Sequence, residues 1–555
     1  MVPASPAAKR TVPRGWLDDW SHVEPIDLGE GFDPEWLGRF PLKAQGRHII
    51  DSRGDRFRLC GVNWYGASDC LHVVGGLDVQ SLDVICRTVH DLGFNVVRLP
   101  FSNEMLRCPV PPGVIDYDLN PSMRGCTALG IYDEVVRCLG RNRVAVIVNN
   151  HTTYGEFCGP PSSNSLWFDP LGPFAEEQWL DDWLMIAQRY RMCPHVVGYD
   201  LRNEIRPRLS VWPAWGRGST SRKYGRRDWA ASALFAAKRL LALNSEALII
   251  VERIVWPQSS LRDYAASPGP LLPTLDGRLV LGVHHYSWSG PGRFVPRWSV
   301  PARWECFTDA LRGLGLITKT NYGDMGYEKL KKQIRHEWGF VLETNTCPIW
   351  VSEFGADLSN PVEMNWLNAF VGVLRDMDAD WAYWPLNVGP KPSCGNDEAY
   401  GLISRDWKPK ASGDQRLRML ESLGLSPPPN AQSPSGPVTP QGVDERPGIP
   451  TKFSVHSSNA KLRALFGTKD PLFGVKHVPD VRDLPDYFFP RHKESLHRNR
   501  HASAPLLHKL GIASEDRCAD GCKIKGSLNK SVAASMPNFA VVKGADVECD
   551  TDAEN

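Results

Sequence analysis

Eight short apolar runs recur along this 555-residue chain, and longer amphipathic segments separate them. A short apolar run with polar flanks is typical of a strand that is buried on both faces, as strands of a parallel sheet are. Strands that alternate with helices predict a parallel sheet, and eight such repeats are the number that closes a (β/α)8 barrel. The runs cover residues 57–63, 95–101, 144–150, 196–203, 247–254, 279–285, 348–353 and 381–386. The sequence therefore predicts an α/β protein built around a TIM barrel.

The segments between the runs have the spacing of amphipathic helices. Apolar residues recur every three or four positions within residues 79–92, 179–190 and 366–377, which places them on one face of a helix. Asp78 is the expected N-cap of the first of these helices. A doubly wound open sheet is the alternative fold, but such a sheet normally has a glycine-rich phosphate turn after its first strand. Residues 61–66 do not have that pattern.

The barrel domain is predicted to span residues 44–425, and the segments beside it differ in composition. Residues 1–43 are predicted to be an extended leader, because they show no clear period. A hairpin from His48 to Leu59, turning at Gly54, is expected at the start of the barrel domain. Residues 426–452 are rich in proline and serine, which predicts a linker. Residues 453–555 are predicted to be a disordered tail, whose role the sequence leaves open.

Charge and hydropathy argue against two classes of partner. The formal net charge is +1, from 64 Lys and Arg against 63 Asp and Glu, so no basic field is expected to attract nucleic acid or an acidic membrane. No apolar run has the length of a transmembrane span, and the first residues contain no apolar stretch of signal-peptide length. A neutral partner fits this charge balance better, and we expect a monomer.

The 14 cysteines show no paired spacing of the kind that binds zinc, so no metal site is expected. Cys60, Cys86 and Cys138 are expected to be small apolar residues of the core. The cysteines in predicted loops, which are candidates for disulfides in a secreted protein, are Cys70, Cys108, Cys158 and Cys394.

Two glutamates end apolar runs at corresponding places. Glu204 closes the run that starts at Val196, and Glu353 closes the run that starts at Pro348. In a barrel the carboxyl ends of all strands face one mouth, so both carboxylates are expected there. Two acids at one cleft suit cleavage of a glycosidic bond, in which one carboxyl protonates the leaving oxygen and the other attacks the anomeric carbon. A helix cap or a surface charge is the alternative for either glutamate alone, but a lone buried carboxylate is costly.

Other runs end in polar or aromatic residues. Arg98 is placed to hold a nucleophilic carboxylate in its ionised form. A histidine at a strand end is more often structural, but His151 and His284 at one mouth favour a functional role. Trp384 ends the eighth run and is placed to lie under a sugar ring, with ordinary barrel packing as the alternative.

Taken in chain order, the residues at the ends of the apolar runs resemble the site of glycoside hydrolase family 5, the cellulase-type retaining enzymes with (β/α)8 barrels. That family has an Arg after strand two, a His after strand three, Asn-Glu after strand four, His-x-Tyr after strand six, a Glu after strand seven and a Trp after strand eight. The resemblance covers roughly residues 44–410, and Pro385 follows the tryptophan where the family often has a non-proline cis bond. The matching positions are Arg98, His151, Asn203, Glu204, His284, Tyr286, Glu353 and Trp384.

The resemblance implies a role for each of these positions. Glu204 would be the acid and base, and Glu353 the nucleophile. Asn203 would bind the sugar 2-hydroxyl, while Arg98 and Tyr286 would orient and ionise Glu353. The subsite beside the scissile bond would be shaped by His151 and His284, and Trp384 would stack on the sugar.

The expected function is that of an endoglucanase-like retaining β-glycosidase, which hydrolyses a β-glucan-type polysaccharide or oligosaccharide without a cofactor. The same chemistry on mannan, a glycolipid or a steryl glucoside is an alternative, because the long segment 287–343 is of the kind that lines a cleft and sets substrate choice. A barrel that binds carbohydrate without cleaving it is the other alternative. A polysaccharide substrate predicts an extracellular enzyme, although the first residues show no signal-peptide pattern.

Overall fold

The computed structural model describes residues 23–156, 164–170, 172–206, 208, 213–215, 228–254, 261, 274–290, 321–388 and 398–427. A small hairpin of β1 (Lys43–Gln45) and β2 (His48–Ile50) precedes the barrel. The barrel strands are β3 (Cys60–Asn63), β4 (Val96–Ser102), β5 (Ala145–Thr152), β6 (Val196–Asp200), β7 (Leu248–Glu252), β8 (Leu279–His285), β9 (Ile349–Phe354) and β10 (Asp380–Tyr383). They are parallel and close in the order β10-β3-β4-β5-β6-β7-β8-β9. The predicted (β/α)8 barrel is thus confirmed, with one strand in each predicted run.

Helices lie between the barrel strands, as the apolar spacing predicts. The first of the three predicted helices begins at Leu82 with Ser81 as its N-cap, so the prediction of Asp78 was wrong. The side chain of Asn120, far along the chain, accepts a hydrogen bond from Leu82 N–H at 2.8 Å, which satisfies a free donor of the first turn. The described α-helices are Pro34–Leu37, Leu82–Asp91, Ala128–Arg141, Glu176–Tyr190, Trp229–Leu243, Tyr327–Ile334, Phe340–Glu343, Pro361–Met377 and Gln415–Glu421, with short 3-10 helices at Pro121–Met123 and Tyr322–Asp324 and a π-helical turn at Arg335–Gly339.

The barrel strands are buried on both faces, and alternate residues belong to two apolar cores. Val97, Val146 and Val148 pack outward against the helices, whereas Val96 and Ile147 pack inside the barrel. This alternation follows from the two-residue period of a strand. It leaves the strand ends as the places where polar side chains can gather.

The hairpin packs against the inner core. Ile49 of β2 and Phe57 share a cluster with Val96 and other inward residues of the strands. The two strands pair antiparallel through a turn at Gly46, and the predicted turn at Gly54 follows directly after β2. The predicted hairpin is present as a short one, with an antiparallel Ile50–Arg56 bridge and backbone hydrogen bonds from Phe57 N–H to the Ile49 oxygen and from Asp51 N–H to the Asp55 oxygen, both at 2.9 Å. The Asp51 carboxylate stabilises the turn by accepting from the backbone N–H groups of residues 53 and 55.

The flanking segments are described in part. Within the predicted leader, residues 34–37 form a helix, and Phe40 and Leu42 are buried in the inner core. Nearly all of the predicted linker and the whole predicted tail, from residue 428 onward, lie outside the described residues. Among the helices that are described, none has the length and apolarity needed to cross a membrane.

The described cysteines are all thiols. Cys60, Cys86 and Cys138 are buried, as expected. Cys70 and Cys108 are free, so they form no disulfide with each other or with another described cysteine. The other two disulfide candidates, Cys158 and Cys394, lie outside the described residues.

Candidate active site

The eight predicted site residues lie at the carboxyl ends of the barrel strands. The parallel register sets Asn63 beside Arg98 and His284 beside Glu353. The structure therefore brings the predicted residues to one mouth of the barrel. Arg98 lies in β4, His151 in β5, Asn203 and Glu204 directly after β6, His284 in β8, Tyr286 just after β8, Glu353 in β9 and Trp384 directly after β10.

Arg98 is fully buried and contacts three carboxylates at once. Its Nε donates to Asp200 Oδ2 at 2.7 Å, its Nη1 donates to Glu353 Oε1, and its Nη2 donates to Glu252 Oε1 at 2.8 Å. Nη2 also donates to Asn203 Oδ1 at 2.8 Å. Burial would lower the pKa of Arg98, but the charges of Asp200, Glu353 and Glu252 raise it well above its usual range. Arg98 is a permanent cation that fixes the spacing of these carboxylates.

Glu353 is buried and accepts hydrogen bonds on both oxygens. Tyr286 donates its hydroxyl to Oε2 at 2.9 Å, and Arg98 donates to Oε1. Burial raises the pKa of Glu353, and the positive charges of His284 and Arg98 oppose the rise without cancelling it. Two donors from different strands thus hold the carboxylate in one orientation.

Glu204 is largely buried and sits in a left-handed backbone conformation, with φ 39°. Such a conformation is strained for a residue other than glycine and persists only where the surroundings hold it. Its Oε1 lies 3.0 Å from His284 Nδ1, and its Oε2 accepts from Arg206 Nη1 at 3.0 Å. Burial would raise the pKa of Glu204, but the hydrogen bond and charge of His284 and the charge of Arg206 lower it.

His284 lies among three carboxylates. Its Nδ1 is 3.0 Å from Glu204 Oε1 and 3.3 Å from Glu353 Oε2, and its Nε2 is 3.4 Å from Glu252 Oε1. Burial would lower the pKa of His284, but the charges of Glu252 and Glu353 and the contact with Glu204 raise it well above its usual range. At neutral pH the ring is therefore an imidazolium, and a proton lies within hydrogen-bond distance of Glu204.

An aromatic cluster lines the same mouth. Trp384 stacks on His151 at 5.4 Å and on Tyr65 at 5.3 Å between ring centroids, and the Trp384–Pro385 peptide bond is cis. Burial and the nearby charges of Arg98 and His284 lower the pKa of His151 well below its usual range, so it is neutral. Trp288 stacks on Tyr286 at 5.1 Å. Flat rings beside carboxylates suit the C–H faces of a sugar.

The predicted set omits four polar residues of this network: Asn63, Asp200, Arg206 and Glu252. Asn63 accepts from Arg98 Nη1 at 3.0 Å, and burial with the Glu252 charge raises the pKa of Asp200 to about 7. Glu252 ends β7 within an apolar run, and that unusual placement of a carboxylate was the signal available in the sequence. For Arg206, which lies after the strand, the sequence carries no such signal.

The network also contains a group of side chains that can hold a metal ion. Glu204, His284 and Glu353 each bring one ligand atom to within 4.8 Å of the others. Arg98 and Arg206 already donate to these two carboxylates, and a bound cation would face both guanidinium groups. We therefore interpret the group as part of an ion-pair network.

Comparisons with known proteins agree on one family. Residues 51–389 match the sequence model of "Cellulase (glycosyl hydrolase family 5)". An endoglucanase of Paenibacillus polymyxa is 29% identical over 385 residues, which cover 66% of this chain and 82% of that protein. The major extracellular endoglucanase of Xanthomonas campestris is 28% identical over 383 residues, which cover 65% of this chain and 67% of that protein.

Solved structures extend the likeness to the fold. The catalytic domain of the Xanthomonas endoglucanase superposes with a TM-score of 0.51 at 27% identity, covering 69% of this chain and 99% of that domain. An endocellulase of Pyrococcus horikoshii superposes with a TM-score of 0.53 at 22% identity, covering 70% of this chain and 100% of that one. The second likeness concerns the barrel fold alone.

Proposed function

Because this chain belongs to glycosyl hydrolase family 5, and is thus a cellulase-type glycoside hydrolase, we propose that it is a retaining endo-β-1,4-glucanase. Glu353 is the proposed nucleophile, and Glu204 is the proposed acid and base. The observation that carries this assignment is the contact of both carboxylates with His284 at the carboxyl end of the barrel.

The spacing of the carboxylates supports retention. One oxygen of Glu204 and one of Glu353 lie within 4.8 Å of each other. Retaining enzymes place their carboxyl groups about 5 Å apart, whereas inverting enzymes need roughly 6.5–9.5 Å to admit a water. A nucleophile that attacks the sugar directly fits the shorter distance.

In the first step a Glu353 oxygen forms a bond to the anomeric carbon, and the bond from that carbon to the leaving oxygen breaks. Glu204 gives its proton to the leaving oxygen. The imidazolium of His284, whose Nδ1 lies 3.0 Å from Glu204 Oε1, supplies that proton to Glu204. Tyr286 and Arg98 hold the attacking carboxylate in place through their hydrogen bonds.

In the second step Glu204 takes a proton from water and returns it to His284, and the water oxygen attacks the anomeric carbon. The ester bond to Glu353 breaks, and the sugar leaves with its original configuration. Asn203 is proposed to bind the sugar 2-hydroxyl, with His151 and Trp384 lining the subsite of the attacked ring. These steps need no cofactor.

Replacing Glu353 with Gln tests the chemistry, because an amide of the same shape cannot form the ester. We expect turnover of a soluble β-1,4-glucan to fall by at least about 10⁴-fold, on the scale of other nucleophile losses. Asp133→Asn is the matched control, since Asp133 is a buried carboxylate that pairs with Arg189 between outer helices. Substantial turnover by Glu353→Gln would reject the assignment. For the wild-type enzyme, NMR of the first product should show the β-anomer.

A substrate panel tests the proposed specificity. Wild-type enzyme is compared on β-1,4-glucan, mannan, a glycolipid and a steryl glucoside, with product sizes measured early in each reaction. We expect the glucan to be cleaved fastest and internally, so that viscosity falls well before most reducing ends appear. Faster cleavage of another substrate would reassign the specificity, and binding without cleavage of any substrate would reject the enzyme.

A further inference from the structure

Glu252, at the end of β7, contacts both halves of the proposed catalytic machinery. Its Oε2 accepts from the backbone N–H of Glu204 at 2.8 Å, and its Oε1 accepts from Arg98 Nη2 at 2.8 Å. The same Oε1 lies 3.4 Å from His284 Nε2. One buried carboxylate therefore joins the proposed acid to the cation that holds the proposed nucleophile.

We propose that Glu252 is a positioning residue, which holds the backbone of Glu204 and the guanidinium of Arg98 and so sets the distance between acid and nucleophile. This inference rests on the proposed roles of Glu204 and Glu353. Glu252 acts through its neighbours and has no bond to make or break in the reaction.

The backbone of Glu204 explains why such a residue is needed. Its φ of 39° is a strained conformation that neighbouring contacts must hold in place. The N–H of Glu204 donates to Glu252, so loss of this acceptor frees the turn that carries the acid. A displacement of about 1 Å at a reacting group can cost on the order of 100-fold in rate.

The position of Glu252 is itself fixed from two sides. Its backbone oxygen accepts from the indole of Trp229, on the helix after the fourth barrel strand, at 3.0 Å. Its register partner in β8 is Gly282, where an added Cβ would lie 2.9 Å from Glu252 Cγ. A glycine at this place in β8 leaves the room that the glutamate side chain occupies.

The charge of Glu252 also acts on five titratable groups of the network. It faces Arg98 on β4, Asp200 and Glu204 on and after β6, His284 on β8 and Glu353 on β9. Burial would raise its own pKa, but His284, Arg98 and the Glu204 N–H lower it to about 2, so it is an anion throughout the working range. As an anion it raises the pKa of His284, Glu204 and Glu353.

Glu252→Gln tests the inference, with hydroxyethyl cellulose as a neutral soluble substrate. The amide replaces one carboxylate oxygen with an NH2 group, which then faces either the N–H of Glu204 or the guanidinium of Arg98 and cannot accept from it. We therefore expect kcat to fall about 10- to 100-fold. Loss of the anion lowers the pKa of His284, Glu204 and Glu353, so both limbs of the profile of kcat/KM against pH should move to lower pH. A merely structural role would lower the melting temperature without moving the limbs.

Asp380→Asn is the matched control. Asp380 is a buried carboxylate at the start of β10 that, like Glu252, accepts from an arginine and a backbone N–H, those of Arg56 and Leu59 at 2.9 and 2.8 Å. It lies at the opposite end of the barrel. We expect this variant to lose stability while its pH profile superimposes on that of wild type.

Glu252→Asp decides the case if Glu252→Gln does not fold. Aspartate keeps the charge but is one methylene shorter, so kcat should fall while both limbs stay in place. If folded Glu252→Asp has the same kcat and the same pH limbs as wild type, the inference is overturned. If wild type is inactive on the glucan, or Glu353→Gln stays active, the proposed function fails instead, whatever Glu252 does.

Discussion

Glu204 lies between His284 and Arg206, and replacing Arg206 tests how these two cations control the protonation of Glu204. Arg206 donates to Oε2, and its charge lowers the pKa of Glu204. Arg206→Gln removes this charge and keeps a side chain that can donate, so the pKa of Glu204 should rise. Glu204 and His284 share one proton in the proposed mechanism, so the pair then keeps that proton to higher pH. We expect the alkaline limb of kcat/KM to move upward, opposite to the effect of Glu252→Gln.

A matched control distinguishes the effect of the lost charge on the pH profile from the effect of a lost ion pair on stability. Arg189 forms a comparable ion pair with the buried Asp133 between two outer helices, so Arg189→Gln should lower the melting temperature and leave the pH profile unchanged. An alkaline limb that stays in place in Arg206→Gln would show that the pair of Glu204 and His284 does not titrate there.

The difference between predicted and overlooked site residues also lies at the scale of single residues. Each of the eight predicted residues lies at or near the end of an apolar run, and a barrel brings such ends together whatever the details of packing. Glu252 and Arg206 belong to the site because of particular side-chain contacts in the folded protein. Which oxygen of Glu252 meets the Glu204 N–H depends on the register of β6 and β7, and periodicity in the sequence does not contain that register.

The hairpin of β1 and β2 is the element whose contribution is most easily tested. Ile49 is fully buried in the inner core beside the barrel strands. Ile49→Ala removes buried methyl groups and leaves a cavity, so we expect the free energy of unfolding to fall by about 2–5 kcal/mol. The folded variant should keep the kcat and pH profile of wild type, since the site lies at the carboxyl ends of the strands.

Val362→Ala is the control for this loss of stability. Val362 is 53% exposed at the start of helix Pro361–Met377, so the change should alter the free energy of unfolding by less than about 0.5 kcal/mol. Denaturant titration of both variants gives the comparison. Equal effects would mean that the hairpin does not pack against the barrel.

Elements were predictable where one run of sequence contains their whole pattern. The helices at residues 176–190 and 361–377 carry several turns of apolar spacing, and both were found from it. The turn at Gly54 is likewise local, since Asp51 accepts from the backbone of residues 53 and 55. The start of the helix at Leu82, in contrast, depends on the distant Asn120. A distant side-chain contact therefore moved the helix boundary that the local pattern had predicted.

At the scale of the whole molecule, the described residues of both apolar cores and all proposed catalytic residues lie between Ile26 and Leu425. A chain ending at residue 427 should therefore keep kcat, KM and melting temperature close to those of the full chain. A chain ending at residue 422 is the control, because it loses Leu423 and Leu425, which are 2% and 3% exposed. It also loses the carbonyl that accepts from the Trp381 indole.

We expect the shorter chain to be destabilised by several kcal/mol, about 2–5 kcal/mol for each lost leucine. Melting curves and kinetics of the three chains on a small aryl β-cellobioside and on polymeric β-1,4-glucan complete the test. If the chain ending at residue 427 melts like the full protein but shows a higher KM on the polymer alone, residues 428–555 contribute to polymer binding. Loss of folding in that chain would instead place part of the structural core beyond the barrel, against the domain boundary predicted near residue 425.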